Sequence, residues 1–339
     1  MTQILFSFII PVYNLEAYIE RCLRSVIDQT YKNIEVVIVD DGSTDKSLSV
    51  VRAVCCSDNR IKIIEKNNEG LSSARNAGLE CVSGQYVFFV DGDDWVDIDL
   101  CQKIFNEILF HAPDVIVYDL FYVGKYGASL KKHSEKNSYS SGLSYLQSTI
   151  SNCSYSPTVC NKSFKRSCIG ETRFPVGLMY EDVYFSFVSL LNADVVTCID
   201  DSGYYYDRNR NGSITSTISA KNVYDLIDIV ARLDKYLILK DMFGVLSSVY
   251  YSKYKMERYI NELLLKLVDG SRIEDKKSYL AVLSRSFERF KKSIVFSRNI
   301  TLLNYFILKL FFLSPFLFQS LRYVFFLKKY FSRNVLRYD

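Results

Sequence analysis

The sequence predicts an α/β fold: a doubly wound, mostly parallel sheet followed by a helical C-terminal region. Three observations carry that expectation. Apolar β-forming runs alternate with helix-periodic segments over the first 118 residues, polar clusters recur at or near the ends of those runs, and from Asn222 onward the apolar pattern is almost wholly helical.

Leu5–Val12 is the first run, rich in β-formers and ended by a polar turn. Leu15, Tyr18, Ile19, Cys22, Leu23, Val26 and Ile27 then recur at the spacing of one helix face, and Ile34–Val39 is a second apolar run. Strand, helix, strand of this kind implies a right-handed parallel crossover with strands buried on both faces. Ser43 and Thr44 read as the N-cap of a helix near Asp45–Val54. A strand at Ile61–Ile64, a helix at Leu71–Cys81, a strand at Tyr86–Val90, a helix at about Asp97–Phe110 and a strand at Val115–Tyr118 complete the pattern. Between Gly124 and Ser156 the chain is polar and rich in Ser and Tyr, so regular periodicity fades until a helix at Asp182–Leu191. Leu226, Ile229, Val230, Leu233 and Leu237 form one stripe of a later helix.

Composition narrows the class. The chain has 339 residues, 49% of them apolar, 24% charged and five Pro, a globular profile rather than a disordered one. Nine cysteines without a C-x-x-C pair argue against a disulfide framework or a zinc site, and fit a reduced cytosol. The N-terminus lacks a basic n-region and reads as a first strand, not a signal peptide. The net charge of +4 is uneven: residues 298–339 carry +6 and the remainder −2. A weakly acidic body excludes a general nucleic-acid footprint, while the basic aromatic tail points to an anionic surface.

Four polar clusters sit at or near strand ends: Pro11–Asn14, Asp40–Ser43, Arg75–Asn76 and Asp91–Asp94. Ligands of open α/β sheets bind beyond the carboxyl ends of the strands. Acidic pairs on neighbouring strand ends repel unless a cation, a base edge or a sugar hydroxyl satisfies them. Asp91-Gly92-Asp93 has the form D-x-D, with hard oxygens that suit Mg²⁺ or Mn²⁺ bridging phosphates, and Gly92 allows a sharp turn between them. Each cluster also has a structural reading: Asp-Gly-Ser is good turn chemistry, Arg75 forms a surface ion pair, and acids at a helix start offset its dipole.

Together the segments FSFIIPVYN (6–14), EVVIVDDGSTD (35–45), NEGLSSARNAGL (68–79), YVFFVDGDDWVD (86–97) and MYEDVYF (179–185) resemble glycosyltransferase family 2, the GT-A (Rossmann-like) enzymes of bacterial surface polysaccharide synthesis. The resemblance implies transfer of a sugar from a nucleotide-sugar, UDP-linked as the favoured donor, to a hydroxyl of a glycan or lipid-linked acceptor, with inversion and a divalent cation. It assigns Pro11, Tyr13, Asp40, Asp41, Arg75 and Asp91 to the nucleotide, Asp93 with Asp91 to the metal, and Asp94 to a second contact. It makes Asp182 the base, with Glu181 binding or orienting the acceptor. Tyr204–Tyr206 with Arg208, Arg210, Gly212 and Ser213 resemble an aromatic-then-basic loop closing on the diphosphate, although Asp207 replaces the aromatic residue next to the first arginine. Asn161 and Lys162 resemble a segment lining the acceptor side. Trp95 is expected to pack.

On this reading residues 1–218 are the catalytic domain, with a nucleotide half (1–118) and an acceptor half (119–218). A helical extension (219–297) and the tail (298–339) follow. The tail's uncharged stretches, ten and twelve residues either side of Lys309, are short of the about 20 that a spanning helix needs. Peripheral docking on the inner face of the membrane fits better; self-association stays open. A sugar-phosphate nucleotidylyltransferase lacks its Gly-rich loop here, and a non-catalytic nucleotide-sugar scaffold has no need of a base.

Overall fold

A computed structural model describes residues 4–56, 58–125, 127–131, 137–151, 154–209 and 220–240. The predicted extension beyond residue 240 and the basic tail lie outside the described residues. The chain divides into one unit of Met1–Ser213 with Ile229–Lys235 and a second of Ile214–Asp228 with Tyr236–Asp339.

The first unit begins with β1 (Phe6–Val12), buried along its whole length as a central parallel strand should be. It pairs in parallel with β2 (Ile34–Asp40) on one side and β4 (Tyr86–Phe89) on the other, and β3 (Ile61–Glu65) extends β2. The crossovers are α1 (Ile19–Ile27), α2 (Ser47–Cys55) and α3 (Leu71–Leu79). α1 buries Ile19, Cys22, Leu23 and Val26, the stripe its spacing predicts. α2 starts later than Ser43–Thr44 implied: Asp45 Oδ1 accepts the Ser47 N–H at 2.9 Å, and Ser43 Oγ is engaged by the β1 loop instead.

Beyond β4 come β5 (Trp95–Val96), α4 (Leu100–His111), β6 (Val115–Gly124), β7 (Gly127–Lys131), β8 (Asn137–Tyr139), α5 (Gly142–Ser151), β9 (Lys162–Lys165), α6 (Arg166–Ile169), α7 (Glu181–Leu191) and β10 (Val196–Asp207). The strand order is β3-β2-β1-β4-β9-β6-β10-β5, with β7 on β6 and β8 on β10. The sheet is therefore mixed: β9 runs antiparallel to both β4 and β6 and splices two parallel halves together.

The stretch expected to lack periodicity, 124–156, contains β7, β8 and α5. Its helix is diluted by Ser and Thr, yet a cap announces it: Ser144 N–H donates to Ser141 Oγ at 3.1 Å and Ser141 N–H to Ser144 Oγ at 3.2 Å. Tyr204–Tyr206 belong to β10 rather than to a loop.

The last described helix is α8 (Ala220–Leu239), of which Ile229–Lys235 belong to the first unit; its predicted stripe of Leu226, Ile229, Val230, Leu233 and Leu237 is buried. Among the described residues no helix is long and apolar enough to cross a membrane.

Candidate active site

Because β1, β2 and β4 are parallel, their carboxyl ends open along one edge, with Val12 level with Asp40. Asn14, held in the left-handed region at φ 52°, donates its N–H to Ser43 Oγ and accepts the Thr44 N–H on Oδ1 at 2.8 Å. The Asp41 N–H reaches Val12 O at 2.8 Å. These bonds lace the first two loops into one wall, in which Pro11 is buried and Tyr13 stands 44% exposed.

The two neighbouring acids divide their work. Asp41 is consumed: Oδ1 accepts Lys66 Nζ at 2.8 Å and the Glu69 N–H at 3.1 Å, and Oδ2 accepts the Gly70 N–H at 2.7 Å, at the start of α3. Asp40 accepts the Ser43 N–H on Oδ2, while its Oδ1 is buried with no hydrogen-bond partner. An orphaned buried carboxylate oxygen is costly unless a ligand donates to it. Gly42, at φ 76°, lets the turn pass where a Cβ would stand 2.9 Å from Asn68 N.

The D-x-D segment is a turn closed by the Asp94 N–H on Asp91 O at 2.9 Å. Gly92 is needed for close approach rather than for an unusual φ: a Cβ there would lie 2.7 Å from Leu15 Cδ1 and 3.1 Å from Pro11 O. Asp94, expected as a second contact, is engaged within the protein. It is buried, accepting the Tyr204 O–H at 2.6 Å and the Asp207 N–H at 2.8 Å. That leaves Asp91 and Asp93, both half-buried, as the hard donors of the turn. Among the described residues no cluster of three acidic, His or Cys side chains forms a metal cage. Two carboxylates plus substrate phosphates are nevertheless a usual shell for Mg²⁺, so the donor set fits such an ion.

Arg75 is buried between the two halves of the site: Nη2 donates to Asp91 Oδ1 at 2.7 Å and Nη1 to Glu181 Oε1 at 2.9 Å, and Nε has no partner. It is a bridge between carboxylates rather than a surface ion pair. Cys160 donates its thiol to Asp91 Oδ2 at 3.4 Å. Burial pushes the Glu181 carboxyl up to about 7, although Arg75 pulls the other way. Asp182 follows it in the first turn of α7, half-buried.

The approach to α7 is fixed by a side chain outside any motif role assigned above. Asn76 grips Phe174 with Nδ2 on its carbonyl and Oδ1 on its N–H, both at 2.8 Å. Phe174 stacks on Phe185 of α7 at 3.9 Å between centroids. α3 thereby sets where Glu181 and Asp182 stand.

Of the remaining candidates, Arg208 lies 3.8 Å over the Tyr122 ring, and Arg210, Gly212 and Ser213 fall outside the described residues. Asn161 and Lys162 are fully buried: Lys162 Nζ donates to Ser156 O, Thr158 O and Asn161 Oδ1 within 2.8 Å, which supports the loop carrying Cys160. Asp207 pairs with Arg21 at 2.7 Å, a partner with no local signal in the sequence beyond a cation on the first helix.

Residues 7–167 match the family Glycosyl transferase family 2. Glycosyltransferase GlyA of Streptococcus pneumoniae is 32% identical over 86% of this chain and 44% of its own length. The poly(ribitol-phosphate) β-N-acetylglucosaminyltransferase TarS of Staphylococcus aureus is 30% identical over 67% of this chain and 40% of its own. The chain thus spans less than half the length of these two curated relatives. In structure it is similar to TarS residues 1–349 in complex with UDP-GlcNAc, with a TM-score of 0.70 at 22% identity over 85% of this chain and 81% of that one. It is also similar to the mannosyltransferase PcManGT of Pyrobaculum calidifontis in complex with GDP-Man and Mn²⁺, with a TM-score of 0.50 at 14% identity, covering 87% and 88% of the two chains.

Proposed function

Since the chain belongs to glycosyltransferase family 2, we propose that it transfers a sugar from a nucleotide-sugar, a UDP-sugar by preference, to an acceptor hydroxyl with inversion and with help from a divalent cation. The observation that carries this is the Arg75 bridge, which ties Asp91 at the end of the nucleotide half to Glu181 at the start of α7. Donor and base segments thus meet at one place.

In this mechanism Asp40 Oδ1 accepts a donor hydrogen of the nucleoside, with Pro11 and Tyr13 as the wall and Asp41 as the loop's internal anchor. Asp91 and Asp93 would hold a divalent cation, which when bound would neutralise charge on the departing diphosphate. Arg75 keeps Asp91 and Glu181 at fixed spacing, and Glu181 orients the acceptor. Asp182 takes the proton from the acceptor hydroxyl as its oxygen bonds to the anomeric carbon. The bond from that carbon to the diphosphate oxygen breaks on the opposite face, so the configuration inverts. Arg208 and Arg210 are assigned to the leaving diphosphate.

We place catalysis in residues 1–218 and assign the acceptor to a glycan or lipid-linked saccharide of a cell-surface polymer, as the resemblance suggests. The +6 charge of residues 298–339 supports docking of that tail on the anionic inner face of the membrane. Calorimetric titration with UDP, GDP, dTDP and CDP, with and without Mn²⁺, tests the donor side. Metal-dependent binding of one nucleotide, lost in Asp93→Ala, is expected. Absence of binding to all four would favour a non-catalytic scaffold.

A further inference from the structure

The D-x-D segment is gripped from two elements. On one side α1 supplies Arg21, Cys22 and Ser25, and Gln29 follows just beyond its end. Arg21 Nη2 donates to Asp93 O at 2.8 Å, Cys22 Sγ to Asp91 O at 3.6 Å and Gln29 Nε2 to Asp97 O at 2.6 Å, while Ser25 Oγ accepts the Val96 N–H at 3.1 Å. From the other side β10 brings Tyr204, which accepts the Asp91 N–H at 3.1 Å, and Asp207, whose N–H binds Asp94.

Arg21 is the member that reaches both elements. The same Nη2 lies 2.7 Å from Asp207 Oδ2, whose side chain is 6% exposed. Its guanidinium sits 3.7 Å over the Trp95 ring, which stacks on Tyr205 at 5.3 Å with an interplanar angle of 2°.

We propose that Arg21 and Asp207 form a brace that fixes the aim of the Asp93 carboxylate, so that Arg21 is a positioning residue for the cation and diphosphate. The inference rests on the glycosyl-transfer reading. Its physical basis is that a pinned peptide carbonyl at Asp93 restricts the backbone rotation that would swing the carboxylate. The turn already carries Asp91, Asp93 and Asp94, and a further acid, the buried Asp207, needs a cation beside it. Asp207 stands where the family pattern has an aromatic residue, and Arg21 is the compensation that makes an acid tolerable there.

Trp95 is the chain's single tryptophan, so its emission reports the brace directly. The experiment compares the full-length wild type with Arg21→Ala, Arg21→Lys and Asp207→Asn. Trp95 emission is read without ligand and during titration with UDP and Mn²⁺, alongside kcat, donor KM and melting temperature. Arg21→Ala and Asp207→Asn are expected to shift ligand-free emission and to raise the Mn²⁺ requirement about tenfold or more, with kcat falling alike, as for outer partners of metal ligands. Donor KM should stay within about threefold. The melting point should move by only a few degrees, because Arg21 is 42% exposed.

The double variant should be no worse than either single one. Lysine should restore the melting point but not the Mn²⁺ requirement, since it lacks the planar face that covers Trp95. Unchanged Mn²⁺ dependence and kcat in folded Arg21→Ala would overturn the brace, as would losses that lysine repairs in full. If Arg21→Ala does not fold, Arg21→Lys and Asp207→Asn decide by the same readings. If the wild type binds no nucleotide, the glycosyl-transfer reading has failed. The brace then stands or falls on whether ligand-free emission shifts in the variants.

Discussion

Replacing Arg75 by Met tests how strongly the bridge holds the site. The side chain is 4% exposed and pairs with Asp91 (26%) and Glu181 (13%), so its removal leaves two carboxylates in a poorly solvated space. Breaking a buried pair costs about 3–5 kcal/mol. Arg75 Nε is already buried without a partner, and relief of that penalty puts the expected loss near the lower end, about 3 kcal/mol. For a domain of this size the melting point should fall by about 6–12 °C.

The sign with pH follows from Glu181. Burial holds its carboxyl at about 7, above the usual carboxylate range, and Arg75 opposes that rise. A raised carboxyl favours the folded state below its unfolded pKa, about 4.3, and loses that contribution as pH climbs through the folded value. Without Arg75 the folded value rises further, so ionisation is paid for in the variant at every pH where the wild type already ionises. Scanning calorimetry from about pH 5.5 to 8.5 should show the wild-type-to-variant gap widening. A gap that is constant or narrows toward high pH would refute the electrostatic account.

Asp182→Asn should lower kcat by about a hundredfold or more while UDP binding, followed by calorimetry, stays near wild type. Asp40→Ala should weaken nucleotide binding about tenfold at a stability cost of only about 1 kcal/mol, because Oδ2 holds the single N–H of Ser43 and Oδ1 has no partner in the free protein. Asp41→Ala, by contrast, should destabilise by about 2–4 kcal/mol in urea titration, since it strands two backbone N–H groups and Lys66. Gly92→Ala should cost activity before stability, its Cβ pushing the D-x-D turn off Leu15 and Pro11, as kinetics and melting measured together would reveal.

The parallel half of the sheet was legible because buried strands such as Phe6–Val12 write themselves as unbroken apolar runs, and α1 as a stripe of period 3.6. What pattern could not reach was pairing between distant segments. β9 is four residues long and two of them are Lys, so nothing local says that it splices β4 to β6. The α5 helix was hidden by Ser and Thr, whose capping geometry was the available signal.

The acids of the candidate site show the same limit at the level of single groups. Sequence places Asp40, Asp41, Asp91, Asp93 and Asp94 at strand ends but cannot say which are already spent. Tertiary structure separates them: Asp41 and Asp94 accept protein N–H and O–H groups on both oxygens, whereas Asp40 keeps one buried oxygen unmatched. Asp41, filled by backbone N–H groups and Lys66, is an anchor, and Asp40, left unfilled on one oxygen at the ligand edge of the sheet, is an invitation. Two neighbours as alike as Asp40 and Asp41 thus have opposite predicted phenotypes. The difference arises because the backbone of residues 69–70, some thirty positions away, turns its N–H groups toward one of them and not the other.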